Sequence, residues 1–404
     1  MQRRATNPKV LATAALLVLA IMVLGLAAAQ AGDSATTLRI GVVLDQTGPA
    51  SALGEGEANT LQLMQDIIER QGGLAGYNVE FTLVDSGSTV AGAVEAVERL
   101  LAENRIHALV CCTLSSSSQA IVAPAQAANV PTISLAAAAP IARPAAQRRW
   151  MFQAAQSDAL MIRGVAADIR DRGVTDVTVM ALSDEYGESG LLELQLALAD
   201  VGVRLDKVVR YDRDAESYVA PALAAILDRP QAVVVWGIAE DSARMVRALR
   251  ERQFGGDIYV SHGVGAPAFL ELAGAAAEGV RMPMGPVLVA SELAASHPLR
   301  QSALAFSDAY TETFGAETLT SFAAHMHDAV RLIEQAVQYT GAAGALDLTD
   351  VVATRAAIRS GLEEMGPYFG AGGVFDYNGG DHTGLDERAM VMVEVRDGSW
   401  ALGR

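Results

Sequence analysis

Ile106 to Ser134 reads IHALVCCTLSSSSQAIVAPAQAANVPTIS. An apolar run, IHALVCC, stops at a polar cluster of four serines. An Ala-rich stretch with helical spacing follows, and a second apolar run, VPTISLA, comes next. Neither run alternates polar with apolar residues, so each reads as a strand buried on both faces, with a helix between them. Two such strands joined by a helix lie parallel. The serines then sit where a strand ends and a helix begins. One of them can cap the helix, and hydroxyls and backbone N–H groups there can also meet a ligand.

The same alternation runs outward in both directions. LRIGVVLD, YNVEFTLVD, TDVTVMALSD, VRLDKVVRY, QAVVVWGI and DIYVSHG read as strands. EANTLQLMQDIIER, TVAGAVEAVERLLAEN, ALMIRGVAADIRDRG, ESGLLELQLALADVG, APALAAILDRP and DSARMVRALRERQ read as the helices between them. The series restarts after Trp150. This predicts an α/β protein of two doubly wound parallel-sheet lobes. Longer helical patterns follow at 298–314, 321–340 and 350–365, and the chain closes on GGVFDYNGGDHTG and the strand RAMVMVEV.

With 404 residues, 51% hydrophobic and 19% charged, the chain is globular and large enough for two lobes. A net charge of -17 argues against nucleic acid as a partner. Arg3, Arg4 and Lys9 precede the apolar run Val10–Ala29 and the small-residue pattern Ala29-Gln30-Ala31, which predicts a signal peptide over 1–31 and export to the periplasm. An uncleaved membrane anchor is the competing reading of that run.

Patterns for catalysis are missing. No G-x-S-x-G places a serine on a nucleophile elbow, and GEGEAN at 54–59 lacks the third glycine of a dinucleotide loop. His325 and His327 are two apart, so a helix turns them to different sides. No enzyme, metal or cofactor is expected. Cys111 and Cys112 are neighbours. In an extended trans pair their side chains point to opposite faces, so they read as buried free thiols finishing a strand, with a vicinal disulfide as the alternative.

Several segments together resemble the type I periplasmic substrate-binding proteins of ABC importers, in the branched-chain amino-acid group. They are the opening Leu38–Ser88 with its T-G-P and Gly-Gly-Leu-x-Gly landmarks, the serine loop and following strand Ala108–Ser134, SDEYGESG at 183–190, TSFAAHMHDAVRLI at 320–333, and GGVFDYNGGD at 372–381. The resemblance implies lobe 1 from residues 32–154 and 286–372, and lobe 2 from 155–285 and 373–404. Three crossings near Gln153–Ser157, Met284–Pro286 and Gly373–Asp376 would form a hinge that closes on solute. It also implies a monomer that delivers solute to a membrane permease and its ATPases.

Site residues follow from the same resemblance. Ser115, Ser116 and Ser117 match the loop that holds a ligand carboxylate, and Ala136 matches a backbone contact. Tyr186 matches the aromatic that covers the ligand from the second lobe. Four positions depart from the amino-acid binders. Ala138 stands where a threonine hydroxyl is usual, Leu53 and Ile238 where tyrosine is frequent, and His262 where an acid pairs with the ligand ammonium. Burying an ammonium without that acid is costly. The expected solute therefore carries a carboxylate but is not held as a standard α-amino acid. Glu240 and Asp241 remain candidates for a replacement acid, which would restore branched-chain amino-acid binding. A sensing receptor with an uncleaved anchor and a hydrolase using the serine loop are the rival functions.

Overall fold

A computed structural model describes residues 37–403, apart from 104, 214 and 343–345. The expected signal peptide lies outside the described residues. The first sheet is built from β1 (Thr37–Leu44), β2 (Asn78–Asp85), β3 (Ala108–Cys111), β4 (Thr132–Ser134) and β5 (Met151–Gln153). Its order is β2-β1-β3-β4-β5 and every pair is parallel. The connections are α1 (Ser51–Arg70), α2 (Val90–Glu103) and the short pair α3 (Ser115–Ala120) and α4 (Val122–Ala127). The single helix expected across that last stretch is thus two, divided at Ile121.

The chain then enters a second sheet. α5 (Asp158–Asp171), β6 (Asp176–Leu182), α6 (Glu185–Asp200), β7 (Arg204–Tyr211), α7 (Val219–Ile226), β8 (Ala232–Trp236), α8 (Ala239–Glu251), β9 (Asp257–Val260), α9 (Pro267–Ala273) and β10 (Arg281–Met284) follow in turn. Three long helices come next: α10 (Arg300–Phe314), α11 (Ser321–Ala342), which packs against α1, and α12 (Val351–Glu364). A small antiparallel pair, β11 (Tyr368–Phe369) and β12 (Val374–Phe375), leads to β13 (Val391–Arg396) and β14 (Ser399–Leu402). These last two return to the second sheet, whose order is β14-β13-β10-β9-β8-β6-β7. β13 pairs antiparallel with β10 and β14 with β13, and with the β11–β12 pair they depart from the all-parallel expectation.

Alternation along each buried strand explains why helices cover both faces. In β1, Ile40 and Val42 face a core shared with α1 and α11, while Val43 faces one shared with α2 and α4. In the second sheet, Met180 and Leu182 face α7 and α8, whereas Val179 and Ala181 face α5 and α6. Every one of these side chains is buried. Strands of this kind leave only their carboxyl ends open to a ligand.

Cys111 and Cys112 are not free thiols. A disulfide joins them across a cis peptide bond, with their Cα atoms 3.1 Å apart. The expectation of opposed side chains held only for a trans, extended pair. Both residues are fully buried, as the strand pattern required.

Candidate functional site

A cavity of about 30 Å³, measured as room for the centres of water molecules, opens where the carboxyl ends of the two sheets face each other. Each wall segment follows a strand. Thr113, Leu114 and Ser115 come after β3, Leu135 to Ala137 after β4, and Ala155 after β5. From the second sheet come Asp184 and Tyr186 after β6, Arg213 after β7, Ile238 after β8, and His262 and Gly263 after β9. Leu53 on α1 and Phe322 and His325 at the start of α11 complete it. The wall is mostly apolar, with a few polar groups fixed in orientation, as in sites for small molecules.

Of the expected site residues, Leu53, Ser115, Ala136, Tyr186, Ile238 and His262 meet in this wall, and Ser116, Ser117 and Ala138 do not. The geometry of the serine loop explains the division. No serine caps α3, because Leu114 holds the N-cap position and no side chain bonds the helix end there. Ser115 Oγ instead accepts the Ala138 N–H at 3.3 Å, which leaves its own hydrogen free to donate. Ala138 is thereby a backbone support for Ser115 and stands behind the wall. Ser116 is half-buried, Ser117 is buried away from the cavity wall, and Ser118 Oγ turns back to the Cys112 N–H and to Ser134 Oγ.

The second sheet contributes an oriented aromatic group. Tyr186 OH accepts the Gly263 N–H at 3.2 Å, so its hydrogen points to His262 Nδ1 at 3.4 Å. That places the His262 proton on Nε2, which is buried and makes no well-formed hydrogen bond, although the Gln156 backbone carbonyl lies near the ring. Burial holds the ring down to about 3, with the neighbouring His325 adding to the effect, so His262 is a neutral donor at physiological pH. Burial also pushes the Tyr186 phenol well up, keeping it protonated. Trp236 is buried beside Tyr186 and His262, with ring centroids 5.9 and 5.7 Å away, and is absent from the wall. It supports the two rings as core.

Asp184, which follows a strand and could from sequence be either a ligand contact or a solvated loop charge, lines the wall, and sequence reasoning missed Arg213, Phe322, His325 and Thr113. Arg213 donates to Asp184 at 2.6 Å, and Asp184 also accepts the Gly187 N–H at the start of α6. Thr113 donates to the buried Glu57 at 2.5 Å and accepts the Asp45 N–H. Burial pushes both the Glu57 and Asp45 carboxyls up. Among the described residues Asp184 is therefore the one carboxylate in the wall, and it already serves Arg213 and a helix end. Glu240 and Asp241 lie outside this wall. Only the DEYG pattern around Asp184 carried a signal, since the other residues come together through tertiary contacts.

Comparison with known proteins bears on this arrangement. Residues 37–399 match the model of a family described as periplasmic binding protein. An extracellular ligand-binding receptor from Rhodopseudomonas palustris HaA2 superposes with a TM-score of 0.84 at 28% identity, covering 91% of this chain and 99% of that one. The leucine-binding protein LivK from Thermotoga maritima MSB8 superposes with a TM-score of 0.76 at 22% identity, over 91% of this chain and 98% of its own. The branched-chain amino-acid substrate-binding protein LivJ of Streptococcus pneumoniae, in complex with isoleucine, gives 0.77 at 20% identity, over 90% and 97%. At these identities the two Liv proteins speak to fold alone. No curated protein sequence is significantly similar to this chain.

Proposed function

We propose, from the premise that this chain belongs to the periplasmic binding protein family, that it is the extracytoplasmic solute-binding component of an ABC importer. It takes a small carboxylate-bearing solute between its two sheets and closes on it. One observation carries the choice of solute. Among the described residues the cavity offers Ser115 O–H and His262 Nε2–H as neutral donors, with Arg213 also in its wall, but no unengaged carboxylate for an ammonium. An ammonium brought there would be desolvated without a counter-ion, at a cost of several kcal/mol. A carboxylate would instead complete donors that are otherwise left buried and unpaired.

Hinge crossings at Gln153–Ser157 and Met284–Pro286 fit the change of sheet after β5 and after β10. The third belongs later than the sequence implied. Phe375 and Tyr377 are buried in the core of the first sheet, Tyr377 OH donates to Gln153 O at 2.6 Å, and His382 bonds the Arg148 and Met151 carbonyls. We place that crossing between Leu385 and β13. Closure about these points would present a surface of both lobes to a permease with its ATPases. Export to the periplasm as a monomer belongs to the same proposal.

The test is a thermal-shift screen of refolded protein from Gly32 onward against amino acids, aromatic acids, dicarboxylates and amides. A solute at a hundred times its Kd adds about 2.7 kcal/mol, which raises the midpoint measurably. Shifts by carboxylates without an amine support the reading. A shift by leucine, isoleucine or valine alone overturns it.

A further inference from the structure

Gln156 lies in the first crossing, just beyond Ala155 of the cavity wall, and is buried. Its amide reaches the second crossing at Gly285 and the loop before β12 at Gly372. Nε2 donates to Gly372 O at 2.8 Å, next to β12. The same amide lies flat on Gly285, between β10 and the following turn, where an added Cβ would stand 2.6 Å from Nε2. Oε1 faces His325 Nε2 at 3.0 Å.

The bond to Gly372 O decides which end of the amide is which, because a carbonyl can only accept. Gln156 Oε1 is then an acceptor, and His325 must donate to it from Nε2. Burial holds His325 down to about 4, so the ring carries a single proton. With that proton on Nε2, the Nδ1 atom keeps a lone pair. Nδ1 is buried with no partner, on a ring that lines the cavity.

We propose that Gln156 is a positioning residue that fixes His325 as the Nε2–H tautomer, so that His325 Nδ1 calls for a neutral O–H or N–H donor on the bound solute. The proposal rests on the solute-site reading and deepens it. The solute would carry its carboxylate toward the donors Ser115 and His262, and a hydroxyl or amide N–H toward His325. Because Gln156 lies in the first crossing and its amide touches Gly285 in the second, occupation of His325 Nδ1 would be felt there and at Gly372 without any longer relay.

Nitrogen-15 NMR of histidine-labelled, refolded protein reads the tautomer without any solute. The expected spectrum has His325 protonated at Nε2 and bare at Nδ1 in the wild type. In Gln156→Leu the proton redistributes to Nδ1, while the His262 signals stay as they were. A wild-type His325 protonated at Nδ1, or an unchanged tautomer in Gln156→Leu, overturns the positioning role. The donor requirement is read by titrating 2-hydroxy-4-methylpentanoate, its O-methyl ether and leucine. The hydroxy acid should bind at least tenfold more tightly than the ether to the wild type, and lose that preference in Gln156→Leu. Equal affinity for the two, or binding of neither, overturns the donor requirement. Leucine binding with the stated tautomer intact overturns the non-amino reading of the site and leaves the role of Gln156 standing.

Discussion

His262→Gln gives a sharp test of the cavity because it replaces a titrating donor by one that cannot titrate. His262 is buried with its pKa held down to about 3, against 6.5 for a solvated ring. The folded protein therefore binds fewer protons at this site than the unfolded chain between those two values. The contribution is fully present above pH 6.5 and is lost as the pH falls through that window. At pH 5 the unfolded ring is almost wholly protonated and the folded one is not, which costs about 2 kcal/mol of stability relative to pH 8. Asp45, Glu57 and Asp158 are buried carboxyls pushed up by burial, and they run the opposite way. They are common to both proteins and drop out of the difference. Urea unfolding of wild type and His262→Gln at pH 8 and pH 5 measures that difference directly. The wild type should lose about 2 kcal/mol more than the variant between the two pH values. Equal losses would mean that the ring titrates as if in water, and the cavity described here would not be the state of the protein in solution.

Ser115→Ala removes the hydroxyl that holds the Ala138 N–H and faces the cavity. Calorimetric titration of a solute found by thermal shift should show about tenfold weaker binding, near 1.4 kcal/mol. Gly54→Ala would place a Cβ 2.1 Å from the Asp45 carbonyl oxygen, a backbone atom that cannot swing aside. Chemical denaturation should report a loss of about 1–3 kcal/mol, as for other overpacked contacts. The chain has two cysteines, both in the one disulfide. Protein denatured without reductant should therefore take up no alkylating agent by intact mass, and two labels once reduced.

The fold was legible where local pattern and tertiary role agree. Continuous apolar runs such as Leu38–Leu44 and Ala232–Trp236 need cover on both faces, and a parallel sheet supplies it. Met151–Gln153 and Arg281–Met284 escaped notice because no longer apolar run frames them, as IHALVCC and VPTISLA frame the equally short β3 and β4. The antiparallel return of β13 and β14 was hidden because pairing direction is set by the connection. At the site, the strand-end positions Ser115, Tyr186 and His262 could be read, since strand ends are where such folds hold ligands. Arg213 and His325 could not, because each reaches the cavity from a segment whose own sequence gives no sign of it. Ser118 shows the converse. It belongs to the same serine run but turns inward to Cys112 and Ser134, and only the path of the short helix decides that.

Native mass spectrometry of the protein, purified from cells without denaturation, tests the central claim most directly. The small molecule released on unfolding is identified by accurate mass and fragmentation. The account predicts an organic acid that lacks a basic amine and carries an O–H or N–H donor besides its carboxylate. Release of leucine, isoleucine or valine would contradict it.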